Sequence, residues 1–464
     1  MENAKDDIFL KVTDDLSVHI RGSFHGHLAQ DYSGEPRPGN NIIKHIINSF
    51  VDNMNGPFKL ERVSSPPVCS PRKGTASRTL PGNDRTKNSA MTKNIGVGLL
   101  GAGFIGQMHS LSLGDVGRAR REPMIHPDLV AIAEHNAALA RMMVERYGWR
   151  EIVTDWRSLV ARSDIDLLVN AGPNQLHAEP SIVAAQNGKH VFCEKPLARS
   201  AEEAFSIYKA VDAAGVKHMC AFMYRFVPAL RLAKKMILAG DIGEVRHYRS
   251  TFLLNMLEPG SGLSWRFDRD VAGAGALGDL GSHYIDQARY LVGEVTDVTA
   301  LAKTWTTDPV GKIKNVNDDW FAAVAFLENN ATAVFEACRV DAPHALTGRI
   351  EIDGTEGSLR FEVERLNELE HRVPGRGTRT LMALRPDHPF SDFFLPVGVQ
   401  GSHPVGWRDC FAFQTYEIVS AIVGRRELSP DAATLRDGYR VAEIVDTVAR
   451  SAQTGKVERV NFKK

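Results

Sequence analysis

The sequence predicts an α/β protein in which a doubly wound parallel sheet is followed by a second α/β domain built on a largely antiparallel, open sheet. Three observations lead there. Short apolar runs alternate with segments of helical spacing from Ile95 to about Ala221, the signature of strand–helix–strand crossovers. The first of these runs ends in Gly101, Gly103 and Gly106 at the spacing G-x-G-x-x-G, as in a turn that cradles a dinucleotide. From Trp320 onward the pattern changes to paired strands joined by tight turns.

The chain has 464 residues, 43% of them hydrophobic and 24% charged, with 56 basic side chains against 56 acidic. That length allows two or three domains with sizeable cores, and zero formal charge argues against a general nucleic-acid binder. The five cysteines are scattered without a C-x-x-C pair, so neither a zinc site nor a disulfide framework is indicated, and a cytoplasmic location is expected. No run is apolar enough to span a bilayer, and the first residues lack a signal peptide's basic end and long apolar core.

Residues 1–91 form an extension. Ile42–Met54 could make a short amphipathic helix, whereas Val63–Thr92 is rich in Ser, Pro, Gly, Asn, Lys and Arg and is read as disordered. Met91 stands just before the first buried strand, so a start codon assigned too far upstream competes with a regulatory tail or a targeting arm. The domains that follow are expected at 92–221 and 222–464.

Ile95–Leu100 is the first buried strand. Gly101 permits the tight turn off it, Gly103 lets backbone approach a pyrophosphate, and Gly106 allows close packing of the helix that begins near Phe104 and Ile105. That helix N-terminus favours the anion. The glycine pattern alone is weak, because Gly273, Gly275 and Gly278 repeat it in GAGALG after the polar RFDRDVA; the second copy is read as a loop. Further strands are expected at Leu129–Ala133, Leu167–Ala171, His190–Cys193 and His218–Phe222, with helices at Ala137–Tyr147 and Ala178–Asn187.

Ligands collect where such strands end. Glu134 closes the second strand, where a carboxylate accepts from ribose hydroxyls and repels a 2′-phosphate; no Arg or Lys adjoins it, so NAD is expected over NADP. AGPNQLH places Pro173, Asn174 and His177 after one strand, and VFCEKPLA places Glu194 and Lys195, fixed by Pro196, after the next. A solvated lysine is the ordinary alternative. In GALGDLGSHYID a helix starting near Asp279 would put Asp279, His283 and Asp286 on one face. Histidine suits proton transfer near neutrality and a carboxylate can orient it; a capping Asp279 with a satisfied buried histidine is the alternative, and Asp with His alone falls short of a metal site. Hairpins are expected at 320–340, turning at Asn329 and Asn330, and at 349–364, turning at Gly354–Gly357. Late helices are expected at Phe411–Val423 and Ala432–Ser451.

In this order VGLLGAGFIGQMH, AGPNQLH, CEKPLA, FMYRFVPALRLAKKMI, AGDIGEVRHY and GALGDLGSHYID resemble the Gfo/Idh/MocA oxidoreductases. The resemblance covers nearly everything from Asn94 onward and implies a Rossmann domain, an open-sheet domain that mediates homodimers or homotetramers, and NAD(P)-dependent exchange of hydride with a hydroxyl of a sugar or polyol. It assigns the family's catalytic lysine to Lys195, and its aspartate and histidine to Asp279 and His283. SWRFDRDVAGAGALGDLGSHYID, His388–Phe390 and DGYRVAEIVD look similar to the levoglucosan and pyranoside branch, although Phe393 and Phe394 replace the branch's usual aromatic pair. Tyr224, Arg225, Trp265, Arg266 and Trp407 are expected pocket walls, since sugars offer apolar ring faces to aromatics and hydroxyls to charged forks; core aromatics and surface arginines are the alternative. An inositol dehydrogenase, a keto-sugar reductase and a non-catalytic NAD-sensing protein remain competing functions.

Overall fold

The computed structural model describes residues 9–12, 18–21, 93–119, 125–257, 262–384, 390, 404–424 and 427–463. Residues 1–83 and 84–464 form separate units. In the first, β1 (Phe9–Val12) and β2 (Val18–Arg21) pair antiparallel, a hairpin that the reading of this extension did not anticipate. The helix expected at Ile42–Met54 and the disorder expected at Val63–Thr92 lie outside the described residues.

In the second unit a six-stranded parallel sheet has the order β5-β4-β3-β6-β7-β8, where β3 is Lys93–Leu100, β4 Ile125–Ala133, β5 Glu151–Val153, β6 Leu167–Asn170, β7 His190–Cys193 and β8 His218–Cys220. The order reverses beside β3, which places a crevice at the carboxyl ends of β3, β4 and β6. Strands β3, β6 and β7 are almost wholly apolar because helices cover both faces. These helices are α1 (Phe104–Arg118), α2 (Ala137–Tyr147), α3 (Ala178–Gln186) and α4 (Ala201–Ala214). Asn136 caps α2 by accepting from Ala138 and Leu139 N–H, and Gly148 ends it left-handed at φ 82°; those two residues give the helix the bounds its sequence implies.

The second sheet has nine strands. It comprises β9 (Val245–Leu253), β10 (Val295–Lys303), β11 (Trp320–Leu327), β12 (Thr332–Cys338), β13 (Thr347–Gly354), β14 (Ser358–Glu362), β15 (Glu368–Val373), β16 (Gly377–Met382) and β17 (Glu458–Arg459), ordered β16-β15-β14-β13-β9-β12-β11-β10-β17. Both expected hairpins are present, and Asn330 takes φ 63° at the turn of the first. The sheet is antiparallel except where β9 pairs parallel with β12 at its centre. Along β11 Phe321, Ala323 and Ala325 are buried, while Val324 and Phe326 point outward and are exposed.

On the nine-stranded sheet pack α5 (Pro228–Ala239), against β14 and β15, and α6 (Ser282–Leu291), against β9 and β12; α7 (Trp407–Ile422) packs on α1, and α8 (Leu435–Thr454) packs on α4 and β10. The C-terminal segment therefore returns to the nucleotide-type sheet. One hydrophobic core runs from β3 through α6 to α8.

Candidate active site

At the end of β3, Gly101 adopts φ 96° and Gly106 lies so close beneath it that a Cβ there would stand 2.0 Å from the Gly101 carbonyl oxygen. Among the described residues, a Cβ on Gly103 would meet no atom within 4 Å. The turn thus needs glycine at its first and third positions for the fold, whereas at the second it leaves open space above the first turn of α1, which has no side-chain cap and no acidic residue. Unpaired N–H groups facing open space suit a pyrophosphate. Glu134 is nearly buried and shares its carboxylate between Ala102 N–H at 2.9 Å and Asn136 N–H at 2.8 Å. It braces the glycine turn while lining the crevice.

A cleft of about 400 Å³ opens from this turn. Of the residues singled out in the sequence, Gly101, Gly103, Phe104, Ile105, Glu134, Pro173, Asn174, His177, Glu194, Lys195, Trp265, Arg266 and Asp279 all line it. The glycine turn fits a dinucleotide on its own geometry: a helix N-terminus, a space a Cβ would fill, and a carboxylate at the strand end.

At the far end of the cleft Lys195 Nζ donates to both the main-chain oxygen and the Oδ1 of Asp279, each at 2.9 Å. This contact depends on a local departure from α-helix. Leu277–Gly281 is a π-helical turn that continues into α6, and the widened turn presents the Asp279 carbonyl to the lysine. Arg266 Nε stands 3.8 Å from the other carboxylate oxygen. Burial works against the Asp279 carboxylate, but Lys195 and then Arg266 outweigh it and hold its pKa down at about 2. His283, 8% exposed, presents its ring to the edge of Tyr224 at 4.9 Å, with Phe222 and Phe252 beside it. Burial, reinforced by Lys195, pushes its pKa well below 6.5, with Asp279 pulling the other way. At neutrality Asp279 is therefore a carboxylate and His283 an uncharged imidazole.

Five expected positions need correction. Arg225 does not reach the cleft: it is buried with Nε and Nη2 on the two oxygens of Asp286, at 2.8 and 2.6 Å. Asp286 accordingly does not share the cleft with Asp279, because the π turn shifts the register that a continuous α-helix from Asp279 would impose. His177 lines the cleft, yet its two ring nitrogens lie against the carbonyl oxygens of Pro196 and Gly172, at 2.9 and 3.0 Å. It ties the two strand-end loops together and has no polar atom left for a cofactor. Tyr224 and Trp407 are not among the residues that line the cleft; Trp407 stacks at 6.1 Å on Phe104, which is. His388, Phe393 and Phe394 lie outside the described residues.

Two site residues escaped the sequence reading. Buried His109 holds Glu194 Oε1 through Nε2 at 2.8 Å, and the other oxygen accepts from Lys195 N–H at 3.1 Å; its position at the end of GFIGQMH was the available signal. Asp318 accepts from Gly275 and Leu277 N–H at 2.7 and 2.8 Å. That clamp, and a Gly275 Cβ that would meet Asp318 O at 2.0 Å, account for the second glycine pattern as packing. Among the described residues no group of three or more His, Cys, Asp or Glu side chains could hold a metal ion.

Residues 95–222 match a family model described as oxidoreductase family, NAD-binding Rossmann fold, and residues 230–360 match the GFO/IDH/MocA C-terminal domain. Levoglucosan dehydrogenase of Pseudarthrobacter phenanthrenivorans is 38% identical over 386 residues, 78% of this chain and 96% of that protein. Inositol 2-dehydrogenase of Rhizobium meliloti is 28% identical over 355 residues, 76% and 96% of the two chains. A solved structure of levoglucosan dehydrogenase in complex with NADH and levoglucosan superposes with TM-score 0.74 at 38% identity, covering 80% of this chain and 100% of that one.

Proposed function

The chain belongs to the Gfo/Idh/MocA oxidoreductases, and on that premise we propose which of its residues carry the family's chemistry. It is an NAD-dependent dehydrogenase acting on a CH–OH group of a sugar or cyclic polyol. When bound, the nicotinamide supplies hydride transfer; the residues bind, orient and move the proton. Gly101, Gly103, Phe104, Ile105 and Glu134 hold the dinucleotide, and Pro173, Asn174, Glu194 and Lys195 wall its reactive end. His283 takes the hydroxyl proton as general base. Lys195 donates to the same oxygen and stabilises the charge that grows on it. Asp279 fixes the lysine, and Trp265 and Arg266 face the sugar.

One observation carries this reading: a Lys195–Asp279 pair that lines the cleft, with His283 beside it in a buried setting where burial and then Lys195 push its pKa down. A base must be unprotonated before it works, and this arrangement keeps it so. The same trio argues against a sensor without turnover. We further propose the division at residues 221 and 222, a cytoplasmic location, and a homodimer or homotetramer assembled through the outer face of the nine-stranded sheet. Exposed Leu301, Val324 and Phe326 on that face support the last point.

The test is reduced-nicotinamide absorbance with NAD or NADP against levoglucosan, glucosides, aldoses and inositols. Growth with NAD and one of these is the expected result, and His283→Ala should lose at least about a hundredfold in kcat with NAD affinity retained. A His283→Ala enzyme with parental turnover would remove the base from the mechanism.

A further inference from the structure

Behind the catalytic cleft lies a buried network of charge that the reaction itself does not use. Arg225 and Asp286 are 4% and 0% exposed and share the bidentate contact described above. Arg225 Nη2 also stands 3.4 Å from Asp437, which is 3.4 Å from Arg289 as well. Glu294 accepts from Arg289 at 2.7 and 2.8 Å and from Arg440 at 2.5 Å. Burial opposes the Asp437 carboxylate, but Arg225 and Arg289 more than offset it, and its pKa is held at about 2.

We propose that this network registers the helix carrying the catalytic histidine against the loop after β7 that carries the catalytic lysine, with Arg225 and Asp286 as positioning residues. The inference rests on His283 being the base. Arg225 sits on the single turn Met223–Phe226 directly after β8, and Ala221 N–H, just before that turn, bonds the carbonyl of Cys193, two residues before Lys195. Asp286 stands three residues after His283 on α6. The pair is therefore a strut between the two halves of the catalytic group. A fork of two parallel hydrogen bonds fixes orientation as well as distance, which one apolar contact does not. Asp437, at the start of α8, adds a third leg.

Stability alone gives little reason to keep such a pair. Buried ion pairs replaced by apolar side chains of similar volume are often neutral or stabilising, whereas removing one partner strands a charge. This asymmetry supplies the test. Arg225→Met/Asp286→Leu removes both charges together, and Arg225→Lys keeps the charge but loses the fork. Each full-length variant is compared with its parent for thermal unfolding, NADH affinity, turnover of levoglucosan with NAD, and titration of the His283 ring by NMR, which needs no substrate. Charges that face that ring are Lys195 and Asp279, and neither is altered.

The expected result is a folded double variant that melts close to its parent, binds NADH within about threefold, and turns over at least about tenfold more slowly, the scale of a sub-ångström misplacement. Arg225→Lys should show the same split, and both should displace the His283 titration. Parental turnover together with a parental His283 titration in either folded variant overturns the proposal. If the double variant fails to fold, Arg225→Lys decides. His283→Ala, run alongside, separates the two readings: a dead His283→Ala with normal strut variants refutes the strut alone, and an active His283→Ala refutes the base.

Discussion

Lys195 has two parts to play, and only one is visible in a motif. It touches the reacting oxygen in the proposed mechanism, and its charge adds to burial, the larger cause, in holding His283 unprotonated. Lys195→Met removes that charge, so the His283 pKa rises and the acid limb of kcat/KM moves to higher pH; an acid limb that stays in place contradicts the coupling. At the other end of the cleft, Glu134→Ala should weaken NAD and raise the NADP-to-NAD ratio of kcat/KM by about fivefold or more, since a carboxylate near a phosphate costs at least about 1 kcal/mol even in high dielectric. An unchanged ratio removes Glu134 from cofactor selection. These residues were legible in the sequence because each follows a strand. Arg225 was misread because a sequence gives neighbours along the chain, and its partner Asp286 stands 61 positions away. His109 was passed over because a histidine within a helix of small and apolar residues looks like core until Glu194 is set beside it.

Among elements, those whose residues supply both a period and a stop came out nearly to the residue: β7, α2 and the hairpin of β11 and β12. The π turn at Leu277–Gly281 did not, since nothing in a 3.6-residue pattern marks one added residue, and that residue decides which side chains share a face. Nor was the parallel pairing of β9 and β12 readable, because β9 alternates like any half-buried strand and its partner lies some 80 residues on. The glycine turn offers a clean contrast. Gly106→Ala sets a Cβ against the Gly101 carbonyl and should lower the melting temperature as well as NAD affinity. Gly103→Ala meets no atom of the described residues and should weaken NAD alone. Differential scanning fluorimetry with and without NAD reads both, and a Gly103→Ala protein of parental affinity would mean that the pyrophosphate lies elsewhere.

For the molecule as a whole, acid is the revealing variable. His177, His190, His218 and His283 are all held below 6.5, in each case chiefly by burial. His190 Nδ1 accepts from Lys217 N–H and His218 Nδ1 from Leu435 N–H, at 3.0 and 3.2 Å, bonds a proton on that nitrogen would break. Below pH 6.5 the unfolded chain therefore binds more protons than the native one, and stability falls with pH. Asp279 and Asp437, held at about 2, add a second loss: their contribution is complete above the ordinary carboxylate value of 3.8 and disappears as pH falls toward 2. Urea midpoints should decline from pH 7 to 5 and drop further below pH 4; a midpoint level from pH 7 to 4 contradicts the assignment. The two-part architecture was legible from the change of period along the chain, but the return of its end was not, because surface patterns on α1 and α7 do not name each other. Ser112 and Thr415 hydrogen-bond at 2.8 Å between those helices, and β8 is completed by Cys220 N–H bonding Ala433 O at 2.9 Å. This closure sets a timetable for synthesis. A ribosome will have released all six strands of the first sheet some two hundred residues before the segment that finishes it emerges, so the nascent cofactor domain waits with the α7-facing side of α1 uncovered, and a chain halted before Trp407 should be a client of chaperones rather than a small, independent NAD-binding protein.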